Sequence, residues 1–238
     1  SKNTVENLTG TVVPLGALYT KKSSAIGEYT SLKEFADFCN AAGLKIIQLL
    51  PVNDTGTQSS PYSGLSAFAL HPIYADISEI AEFDGLYKSD KNFKKKYDSF
   101  IKDFPYKSRY DYQGILNRKT ELLRDIYEST DIAKKAKPDS ALSKWISENP
   151  WIVEYAVYKN LKWQNMQASW KSWDKKDQLP GQKEIQKRWN DENLKKEHLF
   201  YAWLQFKLNI QFKASCEYVK SLGIILKGDM PIMMNEDS

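Results

Sequence analysis

The spacing of apolar residues along this chain changes several times, and each change marks an element. Thr11-Val12-Val13-Pro14-Leu15-Gly16-Ala17-Leu18 is a short apolar run with β-branched residues, closed by a Lys/Ser-rich stretch. It predicts a buried strand. From Thr30 or Ser31 the period becomes helical, with Leu32, Phe35, Ala36, Phe38 and Cys39 recurring on one side. Ser31 and Glu34 have the spacing of a capping box, and Gly43 supplies the stop. Lys45 to Val52 then reads as a second strand, apolar on both faces. Strand, helix and strand within about 40 residues make a βαβ unit, so the strands are expected to be parallel and the crossover right-handed.

Asn53 to Asp76 has turn residues, Ser59-Ser60-Pro61-Tyr62-Ser63-Gly64 among them, but no clear period. That is too long for a plain connector and predicts a functional loop after a strand end. Beyond Ala81 the composition shifts to Lys, Asp, Trp and Tyr, with helical spacing over Tyr112 to Thr130 and again from Pro150, where Trp151, Ile152, Tyr155, Ala156, Tyr158 and Leu161 recur. Lys134 to Ser143 is polar, and Asp174 to Gly181 reads as a turn-rich link. Leu194 to Leu222 is a long amphipathic helix with Leu199, Trp203, Phe206, Ile210, Ala214, Tyr218 and Leu222 near one face, ended by Gly223. Ile224 to Ile232 completes the series as a third strand.

The fold class expected from this order is α/β: a partial (β/α)8 barrel, its first three strands, carrying a mostly helical inserted subdomain. Residues 1–80 hold strands 1 and 2 with the long loop, 81–193 the helical insertion, and 194–238 the returning helix and strand 3. No Gly/Ser-rich or Pro-rich tether flanks the insertion, so it is read as part of the βα series and not as a separate domain on a linker. A barrel needs about 250 residues before insertions. The expectation is therefore that more polypeptide follows Ser238.

Composition narrows the partners. Lys+Arg 34 against Asp+Glu 30 gives a net charge of +4, a nearly balanced surface without the footprint of a nucleic-acid binder; Lys94-Lys95-Lys96 and Lys134-Lys135 read as solvated helix faces. No apolar run spans a bilayer and no signal-peptide core opens the chain, so the default expectation is cytoplasmic, without a membrane partner. Cys39 and Cys216 each fall on the apolar side of a helix, as small hydrophobes. Aromatics reach 13%, enough to fill core contacts and also compatible with surfaces that stack on flat ligands.

In a βα barrel the working residues sit at the C-terminal ends of strands. Three clusters occupy that position here: Leu15 to Leu18, Asn53-Asp54 with Ser60-Pro61-Tyr62, and Asp229. A carboxylate at the end of an apolar strand must be solvated, bonded or paired, so Asp229 reads equally as a site residue or as a cap for a neighbouring loop. Asp54 has the chemistry of a turn residue, and the ring of Tyr62 suits either a sugar face or packing beneath the loop. His71 and His198 have no second metal ligand at useful spacing. Gly-x-Ser-x-Gly, a Gly-rich phosphate loop and Cys-x-x-Cys are all absent, against elbow-type hydrolases, nucleotide enzymes and redox proteins; no cofactor is expected.

These motifs resemble a known family. Val13-Pro14-Leu15 with Ile26-Gly27-Glu28, Gln48 to Thr55, Ser60-Pro61-Tyr62-Ser63, Ser66 to Pro72, and Lys227 to Ile232 with Glu236-Asp237-Ser238 are similar, in order, to the opening motifs of glycoside hydrolase family 77, the 4-α-glucanotransferases (amylomaltases and disproportionating enzymes). Phe68-Ala69-Leu70-His71-Pro72 and Asn53-Asp54-Thr55 look more like the plant cytosolic disproportionating enzyme and its bacterial relatives. The resemblance implies a retaining transfer of α-1,4-glucan segments through a glycosyl-enzyme intermediate, with nucleophile and acid/base expected after Ser238 and no catalytic residue within the chain. It further implies substrate-binding roles: Asp229 in the sugar floor, Tyr62 stacking on the ring, Ser60 and Asp54 shaping the loop. The remaining part of the same enzyme is the implied protein partner. Two other readings stand beside this one. The first is a non-catalytic α-glucan-binding protein that stacks sugars on its aromatics, and the second a distant sugar-active enzyme using Asp54 and Asp229 as acid and nucleophile.

Overall fold

The computed structural model describes residues 8–20, 25–57, 63–106, 110–135, 140–165, 167–178, 180–228 and residue 231. Within these, β1 (Gly10–Val13) opens the sheet. The apolar run that predicts a strand to Leu18 stops pairing at Val13, because Pro14 has no N–H to donate and Leu15–Ala17 coils into a 3-10 turn whose Leu15 and Gly16 are buried. Helix α1 (Ser31–Ala41) crosses to β2 (Ile46–Leu49), and Gly43 makes the turn between them with a left-handed φ of 76°. The expected capping box does not form. Ser31 Oγ instead accepts from Glu28 N, three residues back, at 2.9 Å, and the preceding Thr30 donates its hydroxyl to the distant Asp76.

After the loop come α2 (Phe83–Ser89), α3 (Lys91–Asp103), α4 (Tyr112–Ser129), α5 (Ser140–Glu148), α6 (Trp151–Gln164), α7 (Lys175–Gln178), α8 (Gln182–Trp189) and α9 (Lys195–Ser221). Local chemistry starts several of them: the Asp90 carboxylate accepts from Asn92 N and Phe93 N at α3, and Asp111 accepts from Gly114 N at α4. Helix α5 lies partly in the stretch read as polar, its Leu142 buried, and α7 forms inside the expected turn-rich link. Helix α9, 27 residues and about 40 Å long, returns to β3 (Ile225–Lys227).

The buried face of α9 is not the seam read from spacing. Ile210 is 50% exposed, whereas Leu208, Phe212, Ser215, Cys216 and Val219 are buried. The helix meets two cores in succession, so its N-terminal half is buried on several sides and its C-terminal half turns toward α1 and the sheet. No single stripe at constant spacing describes that.

The three strands are parallel in the order β1-β2-β3, an α/β arrangement in which, among the described residues, the helices pack on one side. Ile47 and Leu49 point into the core. The other face carries the row Val12, Gln48, Lys227 and the row Gly10, Ile46, Ile225, set by the register; Val12 is 62% exposed and Ile225 46%. One continuous core joins Leu32 of α1, Ile47 of β2, Phe93 and Phe100 of α3, Leu123 of α4 and Phe212 of α9, so the helical region shares its interior with the strands. A second core, with Leu65, Ala69, Tyr155, Tyr158 and Trp173, lies beneath the long loop. Among the described residues no helix is long and apolar enough to cross a membrane. Cys39 and Cys216 are buried free thiols.

Candidate functional site

The loop that follows β2 is closed at its base like a neck. Asn53 and Leu70 form an isolated antiparallel bridge, His71 N donates to Val52 O at 2.9 Å, and Asp54 N donates to Ala69 O at 2.9 Å. Residues 54–69 therefore leave and re-enter the fold at one point, and the stretch without sequence period contains 3-10 turns at Thr55–Thr57 and Ser63–Ala67.

Asp54 sits at the start of that loop and is 4% exposed. Its Oδ1 accepts from Gly56 N at 3.1 Å, the local turn bond expected of an Asp before Thr-Gly. Its Oδ2 accepts from the Tyr155 hydroxyl at 2.6 Å and pairs with Lys159 Nζ at 2.5 Å. Burial by itself would raise this carboxyl, but the Lys159 ammonium, His71 and the two side-chain hydrogen bonds outweigh it and hold the group far below the usual carboxylate range. A carboxylate so firmly ionised has no proton to give at neutral pH, which removes Asp54 as a general acid.

Two helices supply the other side of this contact. From α6, Tyr155 and Lys159 reach Asp54, the Tyr158 hydroxyl donates to Gly56 O at 2.8 Å, and Trp151 stacks on Phe68 with ring centroids 5.7 Å apart. From α9, the Gln205 amide donates to Leu70 O and accepts from Leu70 N, both at 2.9 Å, and its Nε2 also donates to the Tyr155 hydroxyl at 3.2 Å. Burial, reinforced by Asp54, pushes the Tyr155 phenol far above its ordinary range, so it remains a donor.

His71 closes the neck on its far side. Its Nδ1 accepts from Ile73 N at 3.1 Å, so in the neutral ring Nε2–H donates to the Tyr112 hydroxyl, 2.5 Å away. Burial lowers the imidazole to about 4 against the attraction of Asp54, which keeps it neutral. The 3-10 turn after β1 lies nearby: a side chain at Gly16 would come within 3.1 Å of the Tyr110 hydroxyl and 3.4 Å of the Tyr74 ring. Tyr19, Tyr110 and Tyr112 are exposed around it.

Glu28, in the Ile-Gly-Glu motif, pairs with the fully buried ammonium of Lys119, which also donates to Ile73 O and Ala75 O at 2.8 Å each. Burial raises the Glu28 carboxyl to about 7 in spite of Lys119. The pair fastens α4 to the segment before Asp76. Among the described residues no group of three His, Cys, Asp or Glu side chains is arranged to hold a metal ion.

Of the four residues expected to bind substrate, Asp54 is placed as above, while Ser60, Tyr62 and Asp229 lie outside the described residues. The residues that sequence reasoning missed are Lys159, Gln205 and the hydroxyls of Tyr155 and Tyr158. A visible signal was available for Gln205, a polar side chain amid the apolar positions Trp203, Leu204 and Leu208; buried polar groups need partners. Lys159 gave none, since a lysine on an amphipathic helix is ordinarily solvated.

Comparison with known proteins agrees with this architecture. The sequence profile of the family described as 4-alpha-glucanotransferase matches residues 13–238. A 4-alpha-glucanotransferase of Chlamydia pneumoniae is 28% identical over 234 residues, which cover 96% of this chain and 42% of that protein. One from Clostridium butyricum is 33% identical over 209 residues, covering 87% of this chain and 40% of the relative. The amylomaltase of Streptococcus agalactiae, solved in complex with acarbose, superposes with a TM-score of 0.68 at 20% identity over 92% of this chain and 42% of its own. The chain thus spans about two fifths of the length of these relatives.

Proposed function

This chain belongs to the 4-alpha-glucanotransferase family, glycoside hydrolase family 77, and from that premise we propose that it forms the first arc of a (β/α)8 barrel that transfers α-1,4-glucan segments between maltodextrins. The uncovered face of the sheet is the observation that carries the reading. Parallel sheets are covered on both faces, yet among the described residues helices cover one only and Val12 and Ile225 stand exposed on the other. In a barrel that face turns inward and is filled by side chains from the remaining strands. Lengths of the relatives support the same reading, with 42% of the Chlamydia protein matched.

In this proposal residues 1–80 provide strands 1 and 2 with the substrate loop, 81–193 the helical insertion and 194–238 the returning helix and third strand. The reaction is a retaining double displacement: a carboxylate attacks the anomeric carbon, a carboxylic acid protonates the leaving oxygen, and the hydroxyl of an acceptor sugar resolves the glycosyl-enzyme. Both reacting carboxyls are assigned to polypeptide following residue 238. Asp229 and Tyr62 would contact the bound sugar and Ser60 would shape the loop around it, with Asp54 holding that loop from beneath. A cytoplasmic setting belongs to the same proposal, supported by two buried thiols left unpaired.

The test is disproportionation of maltotriose, read as release of glucose and longer maltodextrins. The 238-residue chain alone is expected to give none, and the enzyme containing its downstream polypeptide to give both products. Turnover by the 238-residue chain alone would overturn the assignment of the reacting carboxyls.

A further inference from the structure

The start of α9 and three neighbouring elements enclose a cavity of about 350 Å³. Its apolar walls are Ile132 from the 3-10 turn Ile132–Lys134, Ile146 of α5, Trp189 of α8 and Leu199 of α9. His198 also lines it and is 1% exposed; Trp189 stacks on this imidazole, the rings 14° from parallel with centroids 5.9 Å apart. Burial lowers the His198 ring to about 4, against the attraction of Asp191 and of the Trp189 backbone, so at neutral pH it holds a single proton. Asn160 Nδ2 stands 3.5 Å from Nε2. An amide nitrogen can only donate, so Nε2 is the acceptor and the proton sits on Nδ1. The Trp189 carbonyl draws that proton without reaching bonding geometry, and Nδ1 is left buried with no hydrogen-bond partner among the described residues. A buried N–H is costly to leave unmet, so this cavity calls for an oxygen at its His198 wall.

We propose that this cavity is a binding site for one or two pyranose rings, a sugar oxygen accepting from His198 Nδ1 and an apolar sugar face lying against the wall formed by Trp189 and Leu199. The site goes beyond the transfer reaction proposed above and does not depend on it. A sugar ring combines two chemistries: C–H groups that pack on aromatic and aliphatic surface, and hydroxyls around its edge that both donate and accept. The cavity divides in the same way. Lys135, Ser143, Asn190, Glu192 and Lys195 complete the lining and are exposed or partly exposed, so the mouth offers two ammoniums, a carboxylate, an amide and a hydroxyl. A small anion would meet Glu192 there, and a purely apolar occupant would leave Nδ1 unserved. A neutral polyol satisfies both ends. The volume lies at the small end of ligand pockets, which limits the occupant to one or two rings.

The chain has two histidines, so spectra of isotope-labelled histidine nitrogens report on the site directly, with His71→Asn identifying the other ring. Glucose and maltose are the probes, and maltoheptaose distinguishes a free sugar from the end of a glucan chain. Either sugar is expected to shift the His198 Nδ1–H signal and to slow its exchange with solvent about tenfold, leaving His71 unchanged. His198→Phe keeps a ring and removes the donor, and should weaken binding about tenfold. Ser143→Trp narrows the mouth without touching the core and should weaken it at least as much, which keeps the test open if the first variant does not fold. The same titration in the complete enzyme, with the signal assigned through His198→Asn, serves if the shorter chain does not hold its fold. No shift at about 100 mM sugar, roughly a hundred times a millimolar dissociation constant, would mean that water alone fills the cavity and would overturn the proposal. A shift that survives Ser143→Trp unchanged, or one that cyclohexanol produces as strongly as glucose, would overturn it too.

Discussion

Gln205 pairs with Leu70 as one strand pairs with another: its side-chain carbonyl accepts from Leu70 N and its amide donates to Leu70 O, each at 2.9 Å. Six residues further along both segments the arrangement repeats. Gln211 accepts from Asp76 N at 3.0 Å and donates to Asp76 O at 2.7 Å. Among the described residues no strand flanks the segment from Leu70 to Asp76 on the side facing α9, so two glutamines of that helix satisfy backbone groups at its two ends, and α9 adds a further bond from the Ser215 hydroxyl to Tyr29 O at 2.7 Å. Gln205→Leu is expected to leave a buried N–H and C=O without partners and to cost about 2–4 kcal/mol. Gln211→Leu, less deeply buried, should cost less. Urea unfolding of the two variants checks both the size and the order.

The Lys119 contact offers a different asymmetry. Lys119→Met removes three hydrogen bonds and strands Glu28 in the interior, for which a loss of roughly 3–5 kcal/mol is expected. Glu28→Gln with Lys119→Met should recover part of that loss, because no charge is then left buried. A double-mutant cycle by chemical denaturation measures the recovery; strict additivity of the two single losses would contradict it.

Titration of three buried groups makes opposing contributions to stability below neutrality. His71 and His198 are each lowered by burial from 6.5 to about 4. The unfolded chain takes up those protons first as pH falls, so their contribution is complete above about 6.5 and is lost as pH drops through about 4. Glu28 runs the other way: raised from 4.5 to about 7, it contributes fully below about 4.5 and loses that contribution as pH rises through about 7. Two histidines against one glutamate predict a net gain in stability between pH 4.5 and 6.5. Urea midpoints across that window should climb more steeply in Glu28→Gln and less steeply in His71→Asn; a flat or reversed dependence in the unmodified chain would contradict the balance.

Gly27 is required by space. A Cβ there would lie 2.2 Å from Leu15 O, 2.8 Å from Leu18 O and 2.9 Å from Leu18 N, all backbone atoms with no side chain to swing aside. Gly27→Ala is expected to cost about 3 kcal/mol or more, seen as a lowered melting temperature or loss of soluble protein, whereas Gly85→Ala, with nothing within 4 Å, should leave the melting temperature unchanged or slightly raised.

The exposed sheet face separates the isolated chain from the proposed whole. Val12→Lys in the 238-residue chain replaces a residue that is 62% exposed and should change stability by less than about 0.5 kcal/mol. In the complete enzyme the same change would bury an unpaired charge inside the barrel and lower stability by several kcal/mol, on the order of 3 or more. Equal effects in the two contexts would argue against a barrel interior at this position.

Period and punctuation along the chain determined the βα alternation, the parallel order it entails, the extents of α4 and α9 to within a residue or two, and the stops at Gly43 and Gly223, because those depend on near neighbours: side chains three or four apart on a helix, a Cβ absent where φ is positive. The ordered motifs carried the family. What the tertiary structure alone decided is where polar groups go. Asp54 announces a turn in sequence and makes one with Gly56, but its other oxygen meets Tyr155 and Lys159, 101 and 105 residues away. Ser31 spells a cap and serves Glu28 N instead; Ile210 fits an apolar seam and faces solvent. The partners of Asp54 and the face on which Ile210 falls turn on which distant segments pack together, and no local spacing encodes that, whereas the Ser31 bond is to a group three residues back.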